Sequence, residues 1–144
     1  MNLKKVVKEL EKVFKVWGIS FGVGIKPTDS GGVKVEASAN LTLKGHDDEI
    51  YAYFTFYPNG VSEYSFTFDK LEKNEETLGL VNKFNEEVLW FNAYIDDEYL
   101  QLSHLTLGIS EKTVAAYTHA VLDNLANDED VAKHLTPLTK LTVE

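Results

Sequence analysis

Residues 33–44 read VKVEASANLTLK, and their alternation decides the fold class. Val33, Val35, Ala37, Ala39, Leu41 and Leu43 fall on one side, with Lys34, Glu36, Ser38, Asn40, Thr42 and Lys44 on the other. A period of two is what a β-strand with one buried face imposes. The same period recurs outward in both directions. Upstream, across the turn-forming KPTDSGG, Ile19, Phe21, Val23 and Ile25 alternate with Ser20, Gly22 and Gly24, a strand with one bulky and one small face. Downstream, past the polar GHDDE, Ile50, Ala52, Phe54 and Phe56 alternate with Tyr51, Tyr53, Thr55 and Tyr57. Pro58-Asn59-Gly60 then turns the chain into a strand over 61–68. Strands two to four are therefore expected as an antiparallel meander. The small face of the first strand is expected to lie beneath a closely approaching helix. Gly22 and Gly24 do not make a dinucleotide loop, because no third glycine follows at the right spacing and no helix opens after them.

Around these strands the period changes to that of helices. Leu3, Val6, Val7, Leu10, Val13, Phe14 and Trp17 recur at three and four before Gly18, which predicts a helix over 3–17 with Lys4, Lys5, Lys8, Glu11, Lys12 and Lys15 on a solvated face. Asn74 is placed to cap a helix over 75–91, with Glu75 and Glu76 in the first turn and a buried stripe of Leu78, Val81, Phe84, Val88 and Phe91. Strands over 92–95 and 99–107 follow, joined by Asp96-Asp97-Glu98. Ser110 then caps a helix over 111–126 packing through Val114, Tyr117, Val121, Leu122 and Leu125, and a short helix over 128–135 precedes a tail after Pro137. The expected fold is α+β: an antiparallel β-sheet (meander plus C-terminal hairpin) packed on one side by helices, in the order α-β-β-β-β-α-β-β-α-α. The 144 residues are expected to form one domain, with 1–126 as core and 127–144 as a short helix and tail.

Composition removes several functions. Without cysteine there are no disulfides, thiolate nucleophiles or sulfur-ligated zinc, which fits a reducing cytoplasm. The opening MNLKKVVKELEKVF is not expected to be a signal peptide, and no run reaches the roughly 20 apolar residues of a membrane helix. Residues 1–45 carry +4 and residues 46–144 carry −13, together −9, a balance that repels phosphate backbones. All fourteen basic residues are lysine, so no guanidinium fork is present for carboxylate, phosphate or base edges.

Candidate chemistry is sparse. His46, His104, His119 and His134 lie far apart with no HExxH, and surface or hydrogen-bonded roles are expected for them. Asp47-Asp48-Glu49, Asp96-Asp97-Glu98 and Asp128-Glu129-Asp130 match no EF-hand loop and fall where turns and helix starts favour acids. No catalytic, metal or cofactor site is expected, and the chain reads as a non-enzyme. Asn85, near the apolar stripe of the second helix, is expected to bond neighbouring backbone. The strand over 50–57 carries aromatics on both faces. If helices cover Phe54 and Phe56, then Tyr51, Tyr53 and Tyr57 either face solvent as a partner-binding surface or are covered by the tail or a helix.

LVNKFNEE, FNAYIDDEYLQLSHLTL and the helix from Ser110 resemble the YbjN family of bacterial sensory-transduction regulators, and the element order resembles the fold shared by that family and type III secretion chaperones. The resemblance covers residues 75–126 by motif and 1–126 by element order. It implies a cytoplasmic, non-enzymatic adaptor or chaperone-like module, often a homodimer, that offers a sheet face or edge to a partner peptide. The resemblance supplies no catalytic residues to carry over, and no nucleic acid, membrane or cofactor is expected as a partner. The rival reading is an acidic inhibitor or decoy, encoded by a phage or mobile element, whose −13 half occupies a basic site on another protein. A hydrolase or small-ligand binder would require a deep pocket with converging polar groups.

Overall fold

A computed structural model describes residues 1–46 and 48–141. Asp47 of the first acidic triplet and the last three residues of the expected tail lie outside the described residues. The elements run α1 (Leu3–Trp17), β1 (Ser20–Pro27), β2 (Val33–Leu41), β3 (Ile50–Phe56), β4 (Ser62–Lys70), α2 (Glu75–Glu87), β5 (Asn92–Asp96), β6 (Tyr99–Thr106), α3 (Val114–Asn127) and α4 (Glu129–Thr139). Every strand pairing is antiparallel, in the spatial order β1-β2-β3-β4-β6-β5. The meander thus receives the β5–β6 hairpin through β6, and β1 and β5 form the two edges.

The inner face of the sheet is the apolar half of each alternation. Val35, Ala37 and Ala39 of β2, Ala52, Phe54 and Phe56 of β3, Tyr64 and Phe66 of β4, and Leu100 and Leu102 of β6 are buried together with Leu10, Val13 and Phe14 of α1 and Val121 and Leu122 of α3. Phe54 sits centrally, its ring 5.8 Å from Phe14, 4.9 Å from Tyr64 and 5.6 Å from Phe66. Each Val, Leu or Phe among them contributes about 1.5–3 kcal/mol by leaving water. Strand by strand, that is the driving force selecting this face over the other.

Four boundaries differ from the sequence reading by three or four residues, each for a local reason. β2 stops at Leu41 because the chain closes into a turn in which the His46 N–H donates to the Leu43 carbonyl across Gly45 at φ 84°. α2 ends at Glu87 rather than 91: its last turn holds Glu86 and Glu87 and no basic residue, the wrong sign for that end of the dipole, and Val88 is already extended. Its Thr77 is buried in a capping box with Asn74, whereas Leu78, expected in the stripe, is exposed. α3 begins at Val114 and Ser110 does not cap it, because the Thr113 hydroxyl accepts the Ser110 N–H and donates to the Ser110 carbonyl, closing a turn over 110–113; Thr118 replaces Tyr117 as the fully buried position. α4 continues through Pro137 to Thr139, held by complete burial of Leu138 although the proline donates no hydrogen bond.

The largest correction concerns β1. Gly22 pairs with Ser38 and Gly24 with Glu36, so the small face is the outer one, away from the helices. α1 instead packs on the bulky face, where the Phe14 and Phe21 rings meet tilted, 5.1 Å between centroids. No helix lies against either glycine: a Cβ at Gly22 would meet Ser38 at 3.8 Å, and one at Gly24 the end of Lys26 at 3.9 Å.

Candidate binding face on the outer sheet

The strand registers lay the outer face out in rows. One row runs Ser20, Asn40, Tyr51, Thr67, Gln101, Tyr94, and the next Gly22, Ser38, Tyr53, Ser65, Ser103, Asn92. A third runs Gly24, Glu36, Thr55, Glu63, Leu105. Hydroxyl, amide and phenol groups therefore dominate the surface that alternation leaves out of the core. Thr55 is buried, while Tyr51 is 47% exposed and Tyr53 half-buried.

Tyr51 and Tyr53 stand two residues apart on β3 and border a groove of about 390 Å³ whose bare side is formed by Gly22 and Gly24. The glycines are the reason the groove exists, since any side chain there would project from the edge strand beside the tyrosines. Tyr57 lies beyond the end of β3, half-buried near Lys34 and outside the groove lining. Two of the three expected tyrosines are thus brought together and the third is set to one side.

The groove has an ordered charge pair at its rim. Lys34 lies 2.9 Å from Glu36. Hydrogen bonds from Lys34 and then from Tyr53 hold the Glu36 carboxyl below its usual range, and the same bond to Glu36 raises Lys34. Burial, and then the bond to Glu36, push the Tyr53 phenol up. Both shifts favour an ionised carboxylate beside a protonated phenol.

The remaining candidates have structural partners. Asn85 donates from Nδ2 to the Ala93 carbonyl at 2.9 Å and accepts the Ala93 N–H on Oδ1 at 2.7 Å. Its amide imitates a neighbouring strand and closes the β5 edge at that residue, as the sequence reading expected of a backbone partner. His119 Nδ1 accepts the Trp17 indole N–H at 2.9 Å, pinning the end of α1 to α3. His104 bonds the Trp90 carbonyl through Nδ1 and the Tyr117 hydroxyl through Nε2. Its carbonyl partner can only accept, so the proton sits on Nδ1. His134 is buried and its Nε2 approaches Glu87, off the angle of a hydrogen bond, across the α2–α4 contact.

His46 Nε2 lies 3.3 Å from Asp69 with similarly poor angle. Burial pushes the Asp69 carboxyl above the usual range against the pull of His46, and Asp48 adds to the push. Among the described residues, no group of three or more His, Cys, Asp or Glu is placed to hold a metal ion, and no helix is long and apolar enough to cross a membrane.

Sequence reasoning missed the buried Tyr64, whose hydroxyl meets Thr118 at 3.1 Å and whose phenol is pushed up by burial. It also missed Tyr94 and Tyr99, 38% and 43% exposed on the outer face. The signal for Tyr94 was present, because it alternates with Ala93 and Ile95 just as Tyr53 does with its neighbours.

No family model matches the chain, so the YbjN resemblance finds no support there. No curated protein matches it either. Among solved structures, the chain is similar to the Yersinia pestis type III secretion chaperone SycH, solved in complex with a stable fragment of YscM2. The identity is 16% and the TM-score 0.49, with 91% of this chain and 98% of the other covered. Neither value is high enough to transfer a binding surface.

Proposed function

We propose that the protein is a non-enzymatic binding module, an adaptor or chaperone-like protein, that captures a partner protein on the outer face of its sheet around Tyr51, Tyr53 and Tyr57. The observation that carries this reading is the groove itself. A helix-free sheet face holds two tyrosines beside an edge strand stripped of side chains at Gly22 and Gly24. Tyrosine supplies a large contact area with a hydrogen-bonding tip and loses little conformational freedom when covered, which suits a recognition surface. The glycines let a partner backbone approach β1 closely.

The test is capture from host lysate by the tagged wild type and by Y51S/Y53S/Y57S, compared by mass spectrometry at low and high salt. A partner retained by the wild type at both salts and lost by the variant is the expected result. Equal capture by both proteins would refute the role of this face, and loss of the partner at high salt alone would point to the acidic surface instead.

A further inference from the structure

A second surface lies at the opposite corner of the sheet. Leu89, in the loop after α2, is 93% exposed; Leu105, near the end of β6, is 61% exposed; and Leu107, two residues on, is 73% exposed. Single exposed leucines are ordinary, but these occupy one corner, where Leu89 and Leu105 border a groove of about 360 Å³ that also takes in Trp90, Asn92 and His104. The groove exists because β5 pairs with β6 no further than Ser103, whereas β6 runs on to Thr106. The loop carrying Leu89 and Trp90 turns in across the uncovered end, tied there by the bond from His104 to the Trp90 carbonyl.

Carboxylates stand beside residues of this groove. Glu63 pairs with Leu105 across β4 and β6 and is exposed on the same face. Exposed Glu86 lies three residues before Leu89, on a helix whose charged residues are Glu75, Glu76, Glu86 and Glu87 against Lys83. Exposed leucines, one with a carboxylate across the strands from it and another with a carboxylate three residues before it, favour a ligand of complementary pattern. An anionic lipid surface would meet repulsion, whereas a basic amphipathic peptide could place apolar side chains on the leucines and lysines or arginines on Glu63 and Glu86.

We propose that this corner docks a cationic amphipathic segment of a partner protein. The surface is distinct from the tyrosine groove, and the two can succeed or fail separately.

The probe is a short fluorescein-labelled peptide with leucine and lysine at amphipathic helical spacing, titrated by fluorescence anisotropy. Two controls match its length: one with glutamate for lysine, the other with serine for leucine. The leucine–lysine peptide is expected to bind wild type and Y51S/Y53S/Y57S alike. L89S/L105S/L107S should weaken binding about tenfold or more, and E63Q/E86Q should weaken it less while flattening its salt dependence. Leu89→Ser alone, at a nearly fully exposed loop position, should give part of the loss with an unchanged circular dichroism spectrum. The proposal is overturned by wild-type affinity in the triple leucine variant, by equal binding of the serine–lysine peptide, by tighter binding of the glutamate peptide or of anionic vesicles, or by no binding of the leucine–lysine peptide.

Discussion

The two faces of β3 are built from the same seven residues and do opposite things. Ala52, Phe54 and Phe56 point into the helices and are completely or almost completely buried, whereas Tyr51 and Tyr53, one position out of step, border an open groove. Aromatic content alone does not distinguish the faces; the hydroxyl does, together with what stands opposite. Phe54 faces Phe14, Tyr64 and Phe66, while Tyr53 is flanked by Ser38 and Ser65, beyond which lies bare Gly22. One face is held by its own packing, and the other has contact area with no covering element.

That comparison can be broken first from the inside. Phe54→Ala should cost about 3–5 kcal/mol in urea denaturation, because a central aromatic leaves a cavity its neighbours cannot close. Tyr53→Ser on the outer face should cost less than about 1 kcal/mol. Similar losses for the two would mean that the outer face is also structural.

The edges sharpen the comparison next. Asn85→Ala removes both bonds to Ala93 and should cost about 1–3 kcal/mol, with faster amide exchange confined to β5 and its hairpin partner. Uniformly faster exchange would show that Asn85 supports the whole sheet rather than one edge. At the far end of the same hairpin, Asp97 and Glu98 hold φ values of 47° and 71°, a two-residue turn in the left-handed region with no glycine. Glu98→Gly should therefore stabilise the protein by about 1 kcal/mol, the loss of the exposed Lys70 pair counting for little. A fall in melting temperature would contradict that account of the turn.

The smallest expected effect comes from Asp69. Its carboxyl is raised on folding, so the native state binds that proton more tightly than the unfolded chain does. Its favourable contribution is complete below the unfolded carboxyl value of about 3.9 and is lost as pH rises through the higher folded value. Asp69→Asn should accordingly melt above wild type at pH 7, with the difference shrinking towards pH 4. A constant difference across that range would assign the effect to packing.

Much of this architecture was legible because its signals are local. Alternation in 33–44 and 50–57 identifies β2 and β3, and Gly18 and Asn74 mark helix ends that the chain obeys. SFGVGI carries the same signal, since Phe21 and Val23 are the half that alternation sends inward; taking Gly22 and Gly24 as a helix-contact face set that signal aside, and the contact of Phe21 with Phe14 restores it. What was not legible depends on partners distant in sequence. Asn85 could be recognised as needing a backbone partner, though not that the partner would be Ala93 at a sheet edge. The exposed leucine corner arises from a mismatch in length between β5 and β6, which appears only once the pairing is known.

The most direct test of the central claim is tyrosine-specific labelling of the free protein and of its complex with the captured partner. Tyr64, buried beside Thr118, should be unreactive in both. Tyr51 and Tyr53 should label in the free protein and be protected in the complex, with Tyr99 at the remote hairpin turn unchanged. If Tyr51 and Tyr53 remain as reactive in the complex as in the free protein, the outer tyrosine face is not the binding surface.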